Sequence, residues 1–448
     1  MTARHPAHGR GGGKTRPGAR AVAQHPQLHR QLALLAIWVL VLLPPLVFVP
    51  TAVDPFRLPK LLLCSTLALA SLLALAFELR GREERTTLPQ LASLPALAAA
   101  LPLLLVATAS LLWTAHGPVT LRALAPLAVA VAALVGWSAG LTAEELWRPL
   151  RATIAPAALL AMLAMLQVTG LYRPFGLVGG AEAARIGVVS LAGNAGDLGA
   201  FLVLPALLAQ SELRRARGGA RWAWAIVLAV VGGGLLASQT LTALGALLLG
   251  SAILWFGELP ARRRLPVLGG ALALAVLLIV GFAPLRGRVA EKAGALLRGD
   301  WNAVLTYRLD GWAAAAWMFR QHPLGGVGHG AYRAEFADAR LALLDQGRSF
   351  ASSGASLAFA NAHNDLLEVA AELGLLGLAA LGWGLFRVGR SARALGGHRR
   401  PLVLAGLVAA ALLALAGFPF ETALVAYPWL LFLAWQFAAA AVRGESAA

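Results

Sequence analysis

Stretches of about twenty consecutive apolar residues recur along this chain, and each is long enough to cross the hydrocarbon core of a bilayer as a helix. Twelve can be marked: 31–50, 60–78, 93–112, 119–139, 152–170, 188–209, 222–238, 240–257, 266–284, 366–386, 401–417 and 425–442. Helices apolar on every face cannot sit on the surface of a soluble protein. Their repetition therefore dictates an all-α, polytopic membrane protein with about twelve spanning helices. Composition agrees, with 59% hydrophobic and 13% charged residues, where soluble domains carry about 25% charge. The single cysteine, Cys64, lies in an apolar run and excludes an intrachain disulfide.

The net charge of +17 does not imply nucleic-acid binding, because most basic residues sit in short loops beside apolar segments. That arrangement sets membrane orientation. With the N-terminus inside, the cytoplasmic loops carry Arg80 and Arg82, Arg148 and Arg151, Arg214 to Arg217, Arg262 to Arg264, and Arg387 to Arg400. The short outer loops carry few. Twelve spans, both termini cytoplasmic and a bacterial inner-membrane location follow as expectations. Residues 1–30, rich in Gly, Pro, His and Arg, read as a disordered basic tail. Residues 31–284 read as a bundle of about nine helices. Residues 285–363 read as a periplasmic loop with short amphipathic helices, and 364–443 as about three further spans.

The one long polar interval, 301–377, holds most of the candidate chemistry. Read as a helix, Trp312, Ala316 and Phe319 share a face that could rest on the outer membrane surface, with Arg308 beside Trp312 at i,i+4. A guanidinium there can grip a phosphate bidentately without ever losing its charge; the alternative is an arginine snorkelling among headgroups. Glycines between Gly325 and Gly330 permit a tight turn or close backbone approach. Asn361, Asn364 or Asp365 can cap the next helix, but capping does not account for Glu368 and Glu372 in its first turns, where acids face a cavity or a partner. At that helix start, His363 would be held neutral by the dipole and could act as a general base; it could equally be structural. Asn194 and Asp197 interrupt the sixth span in its outer half, as a functional group or as an interhelical hydrogen bond. Arg185 and Arg333 lie on the same outer side. No acidic cluster of metal-binding type stands there, so neither a metal nor another cofactor is expected.

The strings PLGGVGHGAYRAEF (323–336) and AHNDLLEVAAELGLLG (362–377) resemble the O-antigen ligase and O-antigen polymerase superfamily of bacterial membrane glycosyltransferases. Asp54-Pro55-Phe56 with Pro59-Lys60, Arg185 with Gly193-Asn194, and Tyr307-Arg308 with Trp312 resemble further parts of the pattern, which runs from about residue 30 to 440. The resemblance implies metal-independent, inverting transfer of a glycan from undecaprenyl pyrophosphate to an acceptor, either lipid A–core or another glycan or protein. It implies that Arg308 and Arg185 bind the diphosphate and that His363 assists the acceptor hydroxyl. One departure is visible. Many members place an arginine after a serine following the seventh helix, whereas this chain reads Ser238-Gln239-Thr240; Arg333 or Arg185 would then supply the charge.

The expected function is thus a periplasmic-face glycosyltransferase. The catalytic residue would be His363, and the substrate-binding residues Arg308, Arg185, Arg333, Asn194 and Glu368. Ligation, repeat-unit polymerisation and transfer to protein remain open within that class. A transporter for an anionic solute would instead place polar groups along a mid-membrane path.

Overall fold

The computed structural model describes residues 25–80, 94–172, 187–256, 259–350 and 359–445. Among these there are helices, turns and loops but no strand. In chain order the helices are α1 (His25–Leu42), α2 (Arg57–Arg80), α3 (Pro95–Ala109), α4 (Gly117–Gly140), α5 (Ala143–Ala152) and α6 (Ile154–Val168). They continue as α7 (Ala195–Arg215), α8 (Gly219–Ala237), α9 (Leu241–Phe256), α10 (Ala261–Gly281), α11 (Ala283–Leu297) and α12 (Trp301–Val304). The last are α13 (Arg308–Gln321), α14 (Tyr332–Asp345), α15 (Asp365–Ala394), α16 (Arg399–Leu415) and α17 (Ala423–Glu445).

Each of the twelve apolar stretches contains a helix. Among the described residues, eight are long and apolar enough to cross a membrane: Gln27–Leu46, Arg57–Arg80, Pro95–Leu112, Gly117–Gly140, Ala143–Val168, Gly219–Ala237, Asp365–Ala394 and Ala423–Val442. Leu241–Phe256 is apolar but shorter, and α7, α10 and α16 fall outside the set. The first helix begins at His25, inside the stretch expected to be a disordered tail, and the rest of that stretch lies outside the described residues.

The structure corrects the sixth stretch. Residues 188–194 are not helical, and α7 starts at Ala195 with Asn194 as its N-cap, the Asn194 carboxamide oxygen accepting from the Asp197 backbone N–H at 2.8 Å. The polar pair thus opens a helix rather than interrupting one. From Asp197 to Ser211 every residue of α7 is buried, with α5, α6, α8, α9, α16 and α17 packed around it. A helix enclosed by other helices need not be apolar throughout, provided its polar groups are paired. Gln210 does this, donating to Ser251 Oγ and accepting from the Trp255 indole, each at 2.8 Å.

The segment from α11 to α14 has a small core of its own. Ala314, Ala315, Met318, Tyr332, Phe336 and Phe359 pack together against Ala371 of α15. This revises the face expected for α13. Its buried residues are Asp310, Gly311, Ala314, Ala315 and Met318, because the helix docks on α14 and α15. Trp312 is only half-buried.

The glycine run and α15 interlock. Gly374 has φ +61° and breaks the helical path, freeing backbone groups that a continuous helix would pair. The 323–328 loop fills the break: Val327 and Gly328 N–H donate to the Ala371 and Glu372 carbonyls at 3.0 and 2.9 Å, and Leu375 and Leu376 N–H donate to the Pro323 and Leu324 carbonyls at 2.8 and 3.1 Å. A Cβ at Gly326 would lie 2.2 Å from the Glu372 carbonyl carbon, and one at Gly374 would lie 2.4 Å from the Leu324 oxygen. Only glycine fits either place. Glu372 completes the clip, accepting from Gly330 N–H at 2.7 Å and Tyr332 N–H at 3.1 Å.

Candidate functional site

The turn between α16 and α17 is where the distant parts of the chain meet. Asn364, the N-cap of α15, accepts from Leu367 N–H at 3.0 Å and donates through its side-chain amide to the Leu415 carbonyl at 2.9 Å. Arg308, the first residue of α13, donates to the neighbouring Ala416 carbonyl. Phe418 then packs edge-on against His363, ring centroids 4.6 Å apart. The Arg57 guanidinium lies over the same Phe418 ring at 5.2 Å. Two arginines and a histidine from three separate regions are thereby held around the four residues 415–418.

His363 sits between Phe418 and Phe359, the latter at 5.6 Å. Burial, then Arg308, then Arg57, lowers its pKa from the usual 6.5 to about 4. A neutral imidazole was expected at this helix start on account of the dipole; burial and the two arginines produce it instead. A charged imidazolium would meet like charges in poorly hydrated surroundings. The turn carrying His363 is fixed from the other side by Glu368, which accepts from Ala362 N–H at 2.8 Å and from the Asn361 side chain at 3.2 Å. Asn361 also donates to Glu421.

Asn194 and Asp197 enter through Arg57. Asp197 Oδ2 accepts from Arg57 Nε and Nη2 at 3.1 and 3.0 Å, and from the Asn194 amide at 2.6 Å. Arg57 is itself placed by Asp54, whose carboxylate accepts from the Phe56 and Arg57 backbone N–H groups at 3.1 and 2.8 Å.

A cleft of about 160 Å³ opens beside Arg308. Gln239, Thr240 and Thr242 line it from the start of α9, Arg288 and Lys292 from α11, and Thr306, Arg308 and Trp312 from the start of α13. Three of the residues around the site, Gln239, Thr306 and His363, hold left-handed backbone at φ 50°, 58° and 56°, and Tyr307 next to Arg308 does so at 63°. Such conformations cost about 1 kcal/mol or more each and gather at functional sites.

The sequence-derived residues fall into distinct places. Arg308 and His363 are brought together, and Asn194 reaches them through Asp197 and Arg57. Glu368 is buried and occupied with the His363 turn. Arg333 is exposed on α14 and does not line the cleft. Arg185 lies outside the described residues. Sequence reasoning missed Arg57, Phe418, Arg288 and Lys292. Arg57 adjoins the Asp54-Pro55-Phe56 string and could have been found there; Phe418 is one aromatic among many and gave no signal.

Residues 224–382, from α8 into α15, match the family model described as O-antigen ligase. The match takes in the cleft lining other than Ala416, with Arg308 and His363, and stops short of Phe418; Arg57 and Asp197 precede it. No curated protein matches the chain. Over that stretch the chain is similar to the O-antigen ligase family, and its long apolar helices agree with a multi-pass membrane protein.

Proposed function

We propose that the protein is a membrane glycosyltransferase that moves a glycan from undecaprenyl pyrophosphate to an acceptor hydroxyl, with inversion and without a metal. The observation that carries this reading is the pairing of Arg308 with a neutral His363 across the 415–418 turn. His363 takes the proton of the acceptor hydroxyl, and the resulting oxygen attacks the anomeric carbon. The bond from that carbon to the diphosphate oxygen breaks, and the lipid diphosphate leaves with the electron pair. Arg308 meets the charge that grows on the leaving group, the kind of electrostatic contribution that dominates such transfers. Arg57 and Phe418 orient the imidazole, while Asp197 and Asn194 hold Arg57. Glu368 acts on the reaction by fixing the turn that presents His363.

In this reading the chain crosses the inner membrane about twelve times, with both termini cytoplasmic and the 285–363 segment periplasmic. Helix α2 supports placing the site at one membrane face. Its first residue, Arg57, belongs to the site, while Glu78 near its far end belongs to a separate charge cluster with Arg30 and Glu145. A helix of 24 residues spans about 36 Å. Clustering of the site charges at one end favours an enzyme acting on a headgroup over a transporter with a mid-membrane path. Ligation to lipid A–core, with repeat-unit polymerisation and transfer to protein as alternatives, is the reaction expected.

The test uses purified protein, a fluorescent glycan on undecaprenyl pyrophosphate and crude envelope acceptor, with and without EDTA. Acceptor-dependent donor loss that survives EDTA is the expected result. A single product band indicates ligation, and a ladder indicates polymerisation. Failure to consume any donor, together with movement of an anionic solute by proteoliposomes, would turn the reading to transport.

A further inference from the structure

The loop between α13 and α14 lies inside the polar 285–363 segment, yet its surroundings are apolar. Leu324 is 67% exposed. Its carbonyl accepts from Leu376 N–H at 3.1 Å, and Leu375 and Leu376 are themselves 49% and 50% exposed on a helix long and apolar enough to cross a membrane. From the other side the Trp113 indole donates to the Gly325 carbonyl at 3.1 Å. A Cβ at Gly325 would lie 2.9 Å from that ring, so glycine is what lets the indole rest on the loop. Trp113 follows directly on Leu112, which is 87% exposed and ends the span that begins at Pro95. Leu112, Trp113, Leu324, Leu375 and Leu376 thus make one exposed apolar rim, continuous with two candidate spans.

The loop's backbone is also paired as lipid requires. In water a loop can leave its polar groups to solvent, whereas in a bilayer they must be satisfied within the protein. Here α15 takes up the Pro323 and Leu324 carbonyls, Trp113 takes up that of Gly325, and Thr114 Oγ1 donates to that of Val327 at 2.9 Å. The Gly328 carbonyl accepts from Ala331 N–H at 3.1 Å. Val327 and Gly328 N–H go to α15, Gly326 N–H to the His322 carbonyl at 2.9 Å, and His329 N–H to Ser110 Oγ at 3.1 Å. Polar side chains gather just before the leucine: Arg320, Gln321 and His322 are all exposed at the end of α13. An apolar tip with a polar collar and a tryptophan beside it suits the surface of a bilayer, where long or amphipathic side chains keep their polar ends in the headgroups.

We propose that the 323–328 loop docks into the bilayer, with Leu324 and Leu112 among the acyl chains and Arg320, Gln321 and His322 among the headgroups. Lipid is the occupant because the rim runs without a break into exposed leucines of helices fit to cross the membrane, so whatever covers those helices covers the loop. The segment from α11 to α14 is then tied to the membrane at the clip that also holds Glu372. From that fixed point α13 leads back to Arg308, and α14 packs through Phe336 toward Phe359, the neighbour of His363.

The test is spin-label accessibility on the full chain in phosphatidylcholine vesicles. Cys64→Ser removes the single cysteine, and a nitroxide is placed in turn on Leu324→Cys, on Leu376→Cys as the lipid reference and on Asp338→Cys, exposed on α14, as the water reference. Collisions with oxygen report lipid, and collisions with a water-soluble nickel chelate report solvent. The label at 324 is expected to side with 376, at a depth of about 5–10 Å into the headgroup–acyl boundary. A label at 324 that meets nickel as freely as the one at 338 would overturn the docking. So would a label shielded from both reagents, which would assign the rim to a protein partner. If Leu324→Cys does not fold, brominated lipid supplies the second measurement: it should quench wild-type tryptophan emission more than that of Trp113→Phe, and equal quenching would overturn the docking. Neither readout needs turnover, so both stand apart from the transferase reading.

Discussion

The two ends of the helical bundle treat charge in opposite ways. At one end Arg30 is closed into a cluster with Glu145 and Glu78. Its Nε and Nη2 donate to the two Glu145 oxygens at 2.7 and 2.6 Å, and its Nη1 donates to Glu78 at 3.2 Å and to the Gly140 carbonyl at 3.1 Å. Glu145 also forms the capping box of α5 with Thr142. Two acids there answer one arginine, and the cluster joins α1, α2, α4 and α5. At the other end Arg288, Lys292 and Arg308 line one cleft, with the exposed Glu291 beside the first two, and Arg57 stacks on an aromatic ring while pairing with Asp197. The first cluster is a clasp whose charges are answered within the chain. The second directs cations toward a space between helices, as a binding site for an anion requires.

The largest effect separating the two ends is expected at the site. Arg308→Ala and His363→Ala should each lower transfer about a hundredfold or more while the protein stays folded and membrane-inserted, as judged by size-exclusion profile and donor turnover. Wild-type turnover by His363→Ala would remove the base assignment. Next comes the clip that carries the site. Gly374→Ala, which puts a Cβ into the Leu324 carbonyl at φ +61°, should destabilise by about 3 kcal/mol, seen as a lower melting temperature in detergent. Arg30→Ala should cost about 2 kcal/mol, since it removes the guanidinium that answers both Glu78 and Glu145, yet leave the turnover of the folded fraction near wild type. A large loss of specific activity there would break the contrast between clasp and site.

Acid sharpens the comparison further. The His363 pKa lies near 4 in the fold against about 6.5 in an unfolded chain. Between those values the unfolded chain binds a proton that the folded one lacks. Stability from this group is therefore fully present above pH 6.5 and declines as pH falls toward 4. Transfer should be flat from neutrality down to about pH 5 and drop as the imidazole protonates, in a profile of rate against pH; a drop centred near 6.5 would contradict the buried, arginine-flanked histidine. The smallest effect is expected at Arg333, exposed on α14. Arg333→Ala should change transfer less than about twofold, as is usual for surface positions, and a larger loss would move the substrate path onto α14.

Much of this was legible in the chain. The apolar stretches fixed the helices, because a segment without polar groups must satisfy its backbone internally wherever water is excluded. The Asn364 cap was readable too, since it acts on a residue three positions away; Asn194 was expected to interrupt a span, although its cap is just as local. The glycine run could be marked as a tight turn, but neither the break at Gly374 nor the partnership of the two could be. That they interlock depends on hydrogen bonds across about fifty residues of chain, for which neither string carries a local sign. The same limit hid half of the site. Arg308 and His363 stood out because they sit in a polar interval of a greasy chain.

Arg57 and Phe418 belonged to the ends of apolar helices and looked like their neighbours. Arg288 and Lys292 read as ordinary charges on an amphipathic helix. The sequence by itself determined that the protein is a helical membrane bundle with one chemically loaded interval. The tertiary structure alone decided which charges that interval meets. Helix formation and capping are set within a few residues, whereas the field around His363 is the sum of groups from α2, α13 and the α16–α17 turn, which only packing brings within range of one another.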